Sequence, residues 1–342
     1  MWREDLGSEK VEDQKVFGFP ALRSVTREIR RIPEQKGLCE CAARCQSMAE
    51  GSSLPPLLSF GTYKIKGRAA YDAVLYALAC GYRSIDTARC YNNEDEVGSA
   101  VLSSGIPRSE LFITSKIAPW EMKSEEDSYV AILASLSALK MEYIDLMLIH
   151  WPGRAKTPID SPLNKMARRE SWRALKRAKS EGRVLNIGVS NFTIAHLQDL
   201  LDEDSPSSSL ASVSSCLEPP AVNQVERHPL YQQSELMAFC RSRGIALQAY
   251  SPLGCADARV LAHPQLQETA AEARVSVAEL LLLWQTQQDV PVVVKSVSRA
   301  RIEGNLLCVT GARLLDERIL QKIQAVGAAE NLKCCWDPSS IL

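Results

Sequence analysis

Four residues in the first half of the chain are of types that together do proton chemistry at a carbonyl. Asp86 stands in Ser84-Ile85-Asp86-Thr87-Ala88, and Tyr91 follows five positions later. Lys116 ends Ile113-Thr114-Ser115-Lys116, and His150 ends the apolar part of Leu148-Ile149-His150-Trp151-Pro152. A carbonyl that takes up a hydride develops negative charge on oxygen and then needs a proton. Tyrosine is a weak acid with an ordinary pKa of about 10; a nearby ammonium is expected to lower that value, and a carboxylate can hold the ammonium in place. A histidine beside the same oxygen supplies a second hydrogen bond and orients the substrate. Singly, each residue reads more simply as a packing tyrosine, a solvated lysine or a structural histidine. The information lies in their arrival on successive strands.

Those strands are visible as short apolar runs at 57–62, 82–86, 111–115, 144–150, 184–189, 221–226, 245–250 and 291–295. Helical patterns at 69–79, 94–103, 129–139, 170–180, 233–241 and 277–285 alternate with them. Strands that are apolar almost throughout, separated by helices, predict a parallel sheet covered on its outer face. Eight such units predict closure into a (β/α)8 TIM barrel, in which polar residues at the C-terminal ends of strands are the catalytic candidates. The stretch 202–220, rich in Ser, Pro and acidic residues, joins a helix to a strand. It therefore belongs at the opposite end of the barrel and is expected to be silent for catalysis.

In order along the chain, Gly61-Thr62-Tyr63, Asp86-Thr87-Ala88 with Tyr91, Lys116, and Leu148-Ile149-His150-Trp151-Pro152 match the motifs of the aldo-keto reductase family. So do Gly188-Val189-Ser190-Asn191-Phe192, Val222-Asn223-Gln224-Val225-Glu226 and Tyr250-Ser251-Pro252-Leu253-Gly254. The sequence resembles that family from Leu57 to about Ile323, and its short spacing, 25 residues from Tyr91 to Lys116, is similar to the compact microbial-type branch of prostaglandin F synthase and 2,5-diketo-D-gluconate reductase. The resemblance implies Tyr91 as general acid, Lys116 and Asp86 as its tuning pair, and His150 as the orienting donor. It implies cofactor contacts at Gly61, Thr62 and Tyr63, and a nicotinamide carboxamide held by Ser190, Asn191 and Gln224. Tyr250 would stack on the ring, with Ser251 and Leu253 beneath the pyrophosphate and Asn305 at the adenine. Tyr63, Trp120 and Trp151 are the expected aromatic walls of a pocket for a modest apolar carbonyl compound, with His150 among the substrate contacts.

No Gly-x-Gly-x-x-Gly links a strand to a helix, so a Rossmann site is not expected. Lys295 and Arg301 instead bracket Ser296 in a turn before a helix, an arrangement suited to phosphate and, as an extra charge, to the 2′-phosphate of NADPH. Two departures from the family pattern stand out. Gly304 occupies the place of a glutamate that contacts adenine, and Ser59 replaces a glycine two residues before Gly61. The β-hairpin that usually plugs the barrel floor is not evident upstream.

Composition excludes several alternatives. With 342 residues, 46% of them apolar, and a formal net charge of -1, nothing points to nucleic acid or an anionic membrane surface. No apolar run is long enough to span a membrane, and the charged N-terminus has no secretory pattern. Eleven irregularly placed cysteines read as reduced thiols in a cytoplasmic protein. The cluster Cys39, Cys41 and Cys45 lacks a fourth ligand, so no metal is expected. Only His150 of the four histidines ends a strand, which rules out a metal-dependent barrel hydrolase. Residues 1–52 read as a disordered extension and 53–342 as the barrel. The tail around Cys334-Cys335-Trp336 is expected either to fold over the mouth or to fray. The leading expectation is a monomeric NADP-dependent oxidoreductase acting on the CH–OH group, reducing small aldehydes and ketones to alcohols. The alternative is a cofactor-binding sensor subunit with little turnover.

Overall fold

The computed structural model describes residues 54–203 and 218–342. The 1–52 extension, with Cys39, Cys41 and Cys45 and the segment where a floor hairpin would precede the barrel, lies outside the described residues, as does most of the 202–220 loop. Eight parallel strands close into a barrel in chain order: β1 Leu58–Gly61, β2 Ser84–Asp86, β3 Phe112–Ile117, β4 Ile144–Ile149, β5 Val184–Ser190, β6 Val222–Glu226, β7 Ala246–Tyr250 and β8 Val292–Val294. Outside them run α1 Gly67–Cys80, α2 Glu94–Ser104, α3 Glu125–Leu139, α4 Leu163–Ser180, α5 Ile194–Glu203 and α6 Ser234–Ser242. The chain continues through α7 Ala258–Leu261, α8 Pro264–Ala273, α9 Val277–Thr286, α10 Arg299–Thr310 and α11 Glu317–Ala329. No helix among the described residues is long and apolar enough to cross a membrane.

The period of two along each strand decides what faces the chemistry. In β4, Met147 and Ile149 join the large core between strands and helices, whereas Leu146 and Leu148 belong to a separate cluster with Phe112 and Val222 inside the barrel. Gly188 lies against that inner layer: a Cβ there would sit 2.6 Å from the Val222 carbonyl oxygen and 2.8 Å from Leu148 Cδ2. Toward the C-terminal end the inner surface turns polar. Ser59 and Ser84 hydroxyls are 2.8 Å apart, and Gln248 reaches Ser59 at 3.4 Å. The same parity sends Asp86, Lys116, Ser190, Gln224 and Tyr250 inward.

Several boundaries shift from the sequence expectation, and two of the shifts matter here. β3 runs on to Ile117, so Lys116 lies within the strand. α4 starts at Leu163 instead of 170, because Asn164, Lys165, Arg168 and Arg169 interrupt its apolar stripe. The arginines do interior work of another kind, since Arg168 and Arg169 bond Asp199 of α5 at 3.1 and 3.0 Å.

Candidate active site

Asp86 is the last residue of β2, and its carboxylate meets the ammonium of Lys116 on β3 at 2.6 Å. Lys116 Nζ also donates to the Thr87 carbonyl at 2.8 Å, and Gln224 Nε2 donates to the other Asp86 oxygen at 2.7 Å. Both charged side chains are almost wholly buried, at 1% and 4% exposure, so the pair has exchanged water for a closed set of partners.

Tyr91 ends a short 3-10 turn, Arg89–Tyr91, that leaves β2. The turn is pinned from two sides. Arg89 bridges Glu94 and Glu121, both at 3.1 Å, and Asn93 donates to the carbonyls of Thr62 and Ile65 while accepting from Thr87. The Tyr91 ring then faces the other members of the group. Lys116 Nζ lies 5.2 Å from its centroid, and the His150 ring packs edge-on at 5.6 Å.

The electrostatics correct one expectation. Burial raises the phenol of Tyr91 well above its ordinary value, and the charge of Asp86 adds to this, so the neighbouring ammonium does not make it a stronger acid. Burial is the main reason, and the ammonium that would offset it is paired with Asp86. Burial, helped by Lys116, holds His150 well below its ordinary value, so its imidazole is neutral. Sequence reasoning overlooked the residue beside Tyr91. Cys90 Sγ lies 3.3 Å from His150 Nδ1, and burial pushes its thiol up to about 12. A protonated thiol donates to Nδ1, which leaves Nε2 as the N–H end of the ring. Only the adjacency to Tyr91 marks Cys90 in the sequence.

At the far side of the mouth the structure brings Ser190, Asn191, Gln224 and Tyr250 together, but binds them to one another. Asn191 Nδ2 donates to the His150 carbonyl at 3.0 Å and to Ser190 Oγ at 3.1 Å, and Asn191 Oδ1 accepts from the Tyr250 hydroxyl at 2.7 Å. Gln224 Nε2 uses its second hydrogen on Gln248 at 2.9 Å. Any further hydrogen bond from Gln224 must therefore be accepted at Oε1. Gln248 lies two residues before Tyr250, so its inward position follows from strand parity.

The aromatic walls are less uniform than expected. Tyr63, although half-exposed, packs on Tyr91 at 5.1 Å between centroids, and Trp151 stacks beside His150 at 6.1 Å. Trp120 stands exposed on the loop after β3, and among the described residues no ring contact joins it to Tyr91, His150 or Trp151. Trp336 takes the place by Trp151, edge-on at 5.0 Å. The tail that carries Trp336 is therefore docked. Backbone N–H groups of Cys334 and Cys335 donate to Glu226 at 2.6 and 3.0 Å, and further on Arg168 donates to the Leu342 carbonyl and His196 Nε2 meets that of Ile341, each at 2.8 Å. Glu226, His228 and Cys334 converge closely enough to suggest a metal site, but Lys333 already occupies the carboxylate at 2.8 Å.

Beyond β8, Lys295 and Arg301 are exposed around the start of α10, whose first turn holds no acidic residue. Neither forms an ion pair among the described residues. Cations and helix N–H groups suit a phosphate, and the partly open Tyr250 ring suits a flat heterocycle, so these residues fit a dinucleotide. Asn305 is half-buried on the same helix. Gly61 and Thr62 are buried, with the Thr62 N–H and hydroxyl both directed to the Asp86 carbonyl, at 3.0 and 3.1 Å.

Fold and site together define a (β/α)8 barrel whose polar mouth is arranged for proton transfer. The profile of the Aldo/keto reductase family matches residues 57–327. The chain is 39% identical over 276 residues to "Glycerol 2-dehydrogenase (NADP(+))" of Saccharomyces cerevisiae, covering 76% of this chain and 84% of that protein. It is 38% identical over 252 residues to "Glyoxal reductase" of Bacillus subtilis, covering 73% and 82%. Among solved structures, an aldo-keto reductase enzyme from a Medee basin deep-sea metagenome library superposes with a TM-score of 0.72 at 32% identity, covering 84% of this chain and 96% of that one. The chain belongs to the aldo/keto reductase family and is an oxidoreductase.

Proposed function

We propose that this protein reduces small aldehydes and ketones to alcohols with NADPH, and that Tyr91 gives the proton to the carbonyl oxygen. The observation that carries the reading is the meeting of a protonated phenol, a neutral imidazole and a closed Lys116–Asp86 pair at one mouth of the barrel. NADPH, when bound, supplies the hydride. His150 Nε2 donates a hydrogen bond to the carbonyl oxygen and fixes its position; Tyr91 protonates that oxygen as charge develops. Lys116 stabilises the phenolate that forms, at the short range across the Tyr91 ring. Lys295, Ser296 and Arg301 would take the 2′-phosphate, Asn305 the adenine, and Ser251 and Leu253 the pyrophosphate. Tyr250 would stack on the nicotinamide ring. Its carboxamide would donate to Gln224 Oε1, since both hydrogens of the Gln224 amide are committed, with Ser190 and Asn191 completing its seat.

The walls given by Tyr63, Trp151 and Trp336 favour compact or aromatic carbonyl compounds. The activities named for the yeast and Bacillus relatives, on glycerol and glyoxal, agree with a small substrate. The test is oxidation of NADPH with methylglyoxal, nitrobenzaldehyde and phenanthrenequinone. Tyr91→Phe is expected to remove most turnover while NADPH still quenches the protein's fluorescence with nearly unchanged affinity. Full activity in that variant refutes the assigned acid.

A further inference from the structure

The loop after β7 and the C-terminal tail meet at two thiols. Cys255 Sγ and Cys335 Sγ are 3.5 Å apart, although the residues are separated by 80 positions. Ser251 Oγ lies 3.1 Å from the first and 3.8 Å from the second. The turn that presents Cys255 is unusual: Gly254, Cys255 and Ala256 all have left-handed backbone, with φ of 60°, 56° and 62°. Two of these are non-glycine residues, a local strain that persists only where the surroundings enforce it. Cys255 is exposed and Cys335 half-buried, so solvent reaches the pair.

We propose that Cys255 and Cys335 form a redox modification site, at which a hydroperoxide converts the two thiols to a disulfide that fastens the C-terminal tail to the loop after β7. Their mutual hydrogen bond draws the Cys255 thiol down, and Cys255 is the exposed member of the pair, so it is the sulfur that meets the peroxide as a thiolate. The other described cysteines, Cys80, Cys90, Cys240, Cys308 and Cys334, are pushed up to about 11 or 12, chiefly by burial. An accessible thiolate beside a second thiol is the arrangement that selects one cysteine for oxidation. The Cys255 thiolate attacks one peroxide oxygen; an S–O bond forms, the O–O bond breaks, and the leaving alkoxide takes a proton to become an alcohol, or water from hydrogen peroxide. Cys335 sulfur then attacks the Cys255 sulfenic acid. The S–S bond forms, and hydroxide leaves with the Cys335 proton as water. The two thiols lose two electrons and the peroxide gains them. Closure needs the sulfurs to approach by about 1.5 Å, to the ordinary disulfide length of about 2.0 Å.

The consequence for the cofactor rests on the proposed function, in which Ser251 and Leu253 lie beneath the pyrophosphate. A fastened tail then slows dinucleotide exchange past that loop. The experiment treats the reduced full chain with limiting hydrogen peroxide, blocks remaining thiols, and maps unreduced peptides by mass spectrometry, with NADPH release followed by stopped-flow fluorescence. A Cys255–Cys335 linked peptide is expected as the first product, with two fewer free thiols per chain. Cys255→Ser is expected to abolish it, and Cys335→Ser to leave Cys255 as a sulfenic acid trapped by dimedone. A first crosslink between Cys334 and Cys335, first oxidation at another cysteine, or no crosslink overturns the proposal. A Cys255–Cys335 crosslink that leaves NADPH release unchanged sustains the site and refutes only the placement of the pyrophosphate.

Discussion

Replacing Glu226 by Gln tests how the tail is held. Glu226 ends β6 with no exposed surface and receives His228 Nε2 at 3.2 Å, Lys333 Nζ at 2.8 Å, and the Cys334 and Cys335 N–H groups at 2.6 and 3.0 Å. Burial alone would raise its carboxyl, but the bonds from His228 and Lys333 and the charge of Lys333 outweigh it and hold the group at about 2 against an ordinary 4.5. That gap corresponds to about 3 kcal/mol of preference for the carboxylate in the folded protein. The amide keeps one acceptor oxygen and turns an NH2 toward donors, so most of this is expected to be lost near neutral pH. Because the carboxyl is depressed on folding, its contribution is full above the ordinary value and fades as pH falls from about 4.5 toward about 2. Urea unfolding of the two proteins near pH 7 and near pH 3 measures the difference, and hydrogen exchange at 331–336 locates it. Trp336 leaves Trp151 when the tail lifts, so KM for an aromatic aldehyde is expected to rise more than kcat falls. Equal stability near neutral pH, or a difference undiminished near pH 3, refutes the clamp.

Three further outcomes are expected. Lys295→Ala combined with Arg301→Ala should weaken NADPH by roughly tenfold or more relative to NADH, since each cation forms a charge-assisted contact with phosphate; equal losses in fluorescence titrations overturn the assignment. Gly304 lies inside α10 with no atom within 4 Å of where a Cβ would stand, so Gly304→Glu should raise stability by about 0.5–1 kcal/mol and tighten NADPH binding. A lower melting temperature contradicts this. Cys90→Ala removes the donor to His150 Nδ1 and should lower kcat by roughly tenfold, with Cys90→Ser restoring most of it. Alanine and serine variants that behave alike would show that the thiol does not set the imidazole.

The barrel was legible because its strands are short, apolar and regularly spaced, and the places of Asp86, Lys116 and His150 at the ends of successive strands assigned them to one mouth. What stayed hidden depended on partners distant in sequence. The first two turns of α4 look too polar for a core helix until Asp199 on α5 collects Arg168 and Arg169. Glu226 sits in a recognisable motif, yet its grip on Cys334 and Cys335 spans more than a hundred positions. Trp120 and Trp336 exchange importance for the same reason: a tryptophan near a strand end is conspicuous, whereas one in the tail gains its place only when the tail docks. The direction of the Tyr91 shift was not legible because residue types reveal an ammonium nearby but neither how deeply the phenol is buried nor that a carboxylate faces it.

That shift bears on how the reaction is built. A buried ion pair contributes little net stability, since the desolvation of both charges offsets their attraction. Its place at the centre of the barrel is better explained by chemistry. An unpaired ammonium beside Tyr91 would favour the phenolate before substrate arrives, against the burial that keeps the phenol protonated. Burial and the charge of Asp86 keep the phenol protonated in the resting site, while Asp86 and Thr87 hold Lys116 and Gln224 takes the other carboxylate oxygen. In the proposed reaction, a proton passed to the carbonyl oxygen would leave a phenolate within reach of that same ammonium, which would stabilise the charge only as it appears. Lys116→Met would then leave Asp86 as an uncompensated charge and raise the phenol further. Its defect should therefore fall on kcat for reduction and spare the affinity for NADPH in fluorescence titrations, while an equal loss of cofactor affinity would mean that the ammonium acts only as a strut.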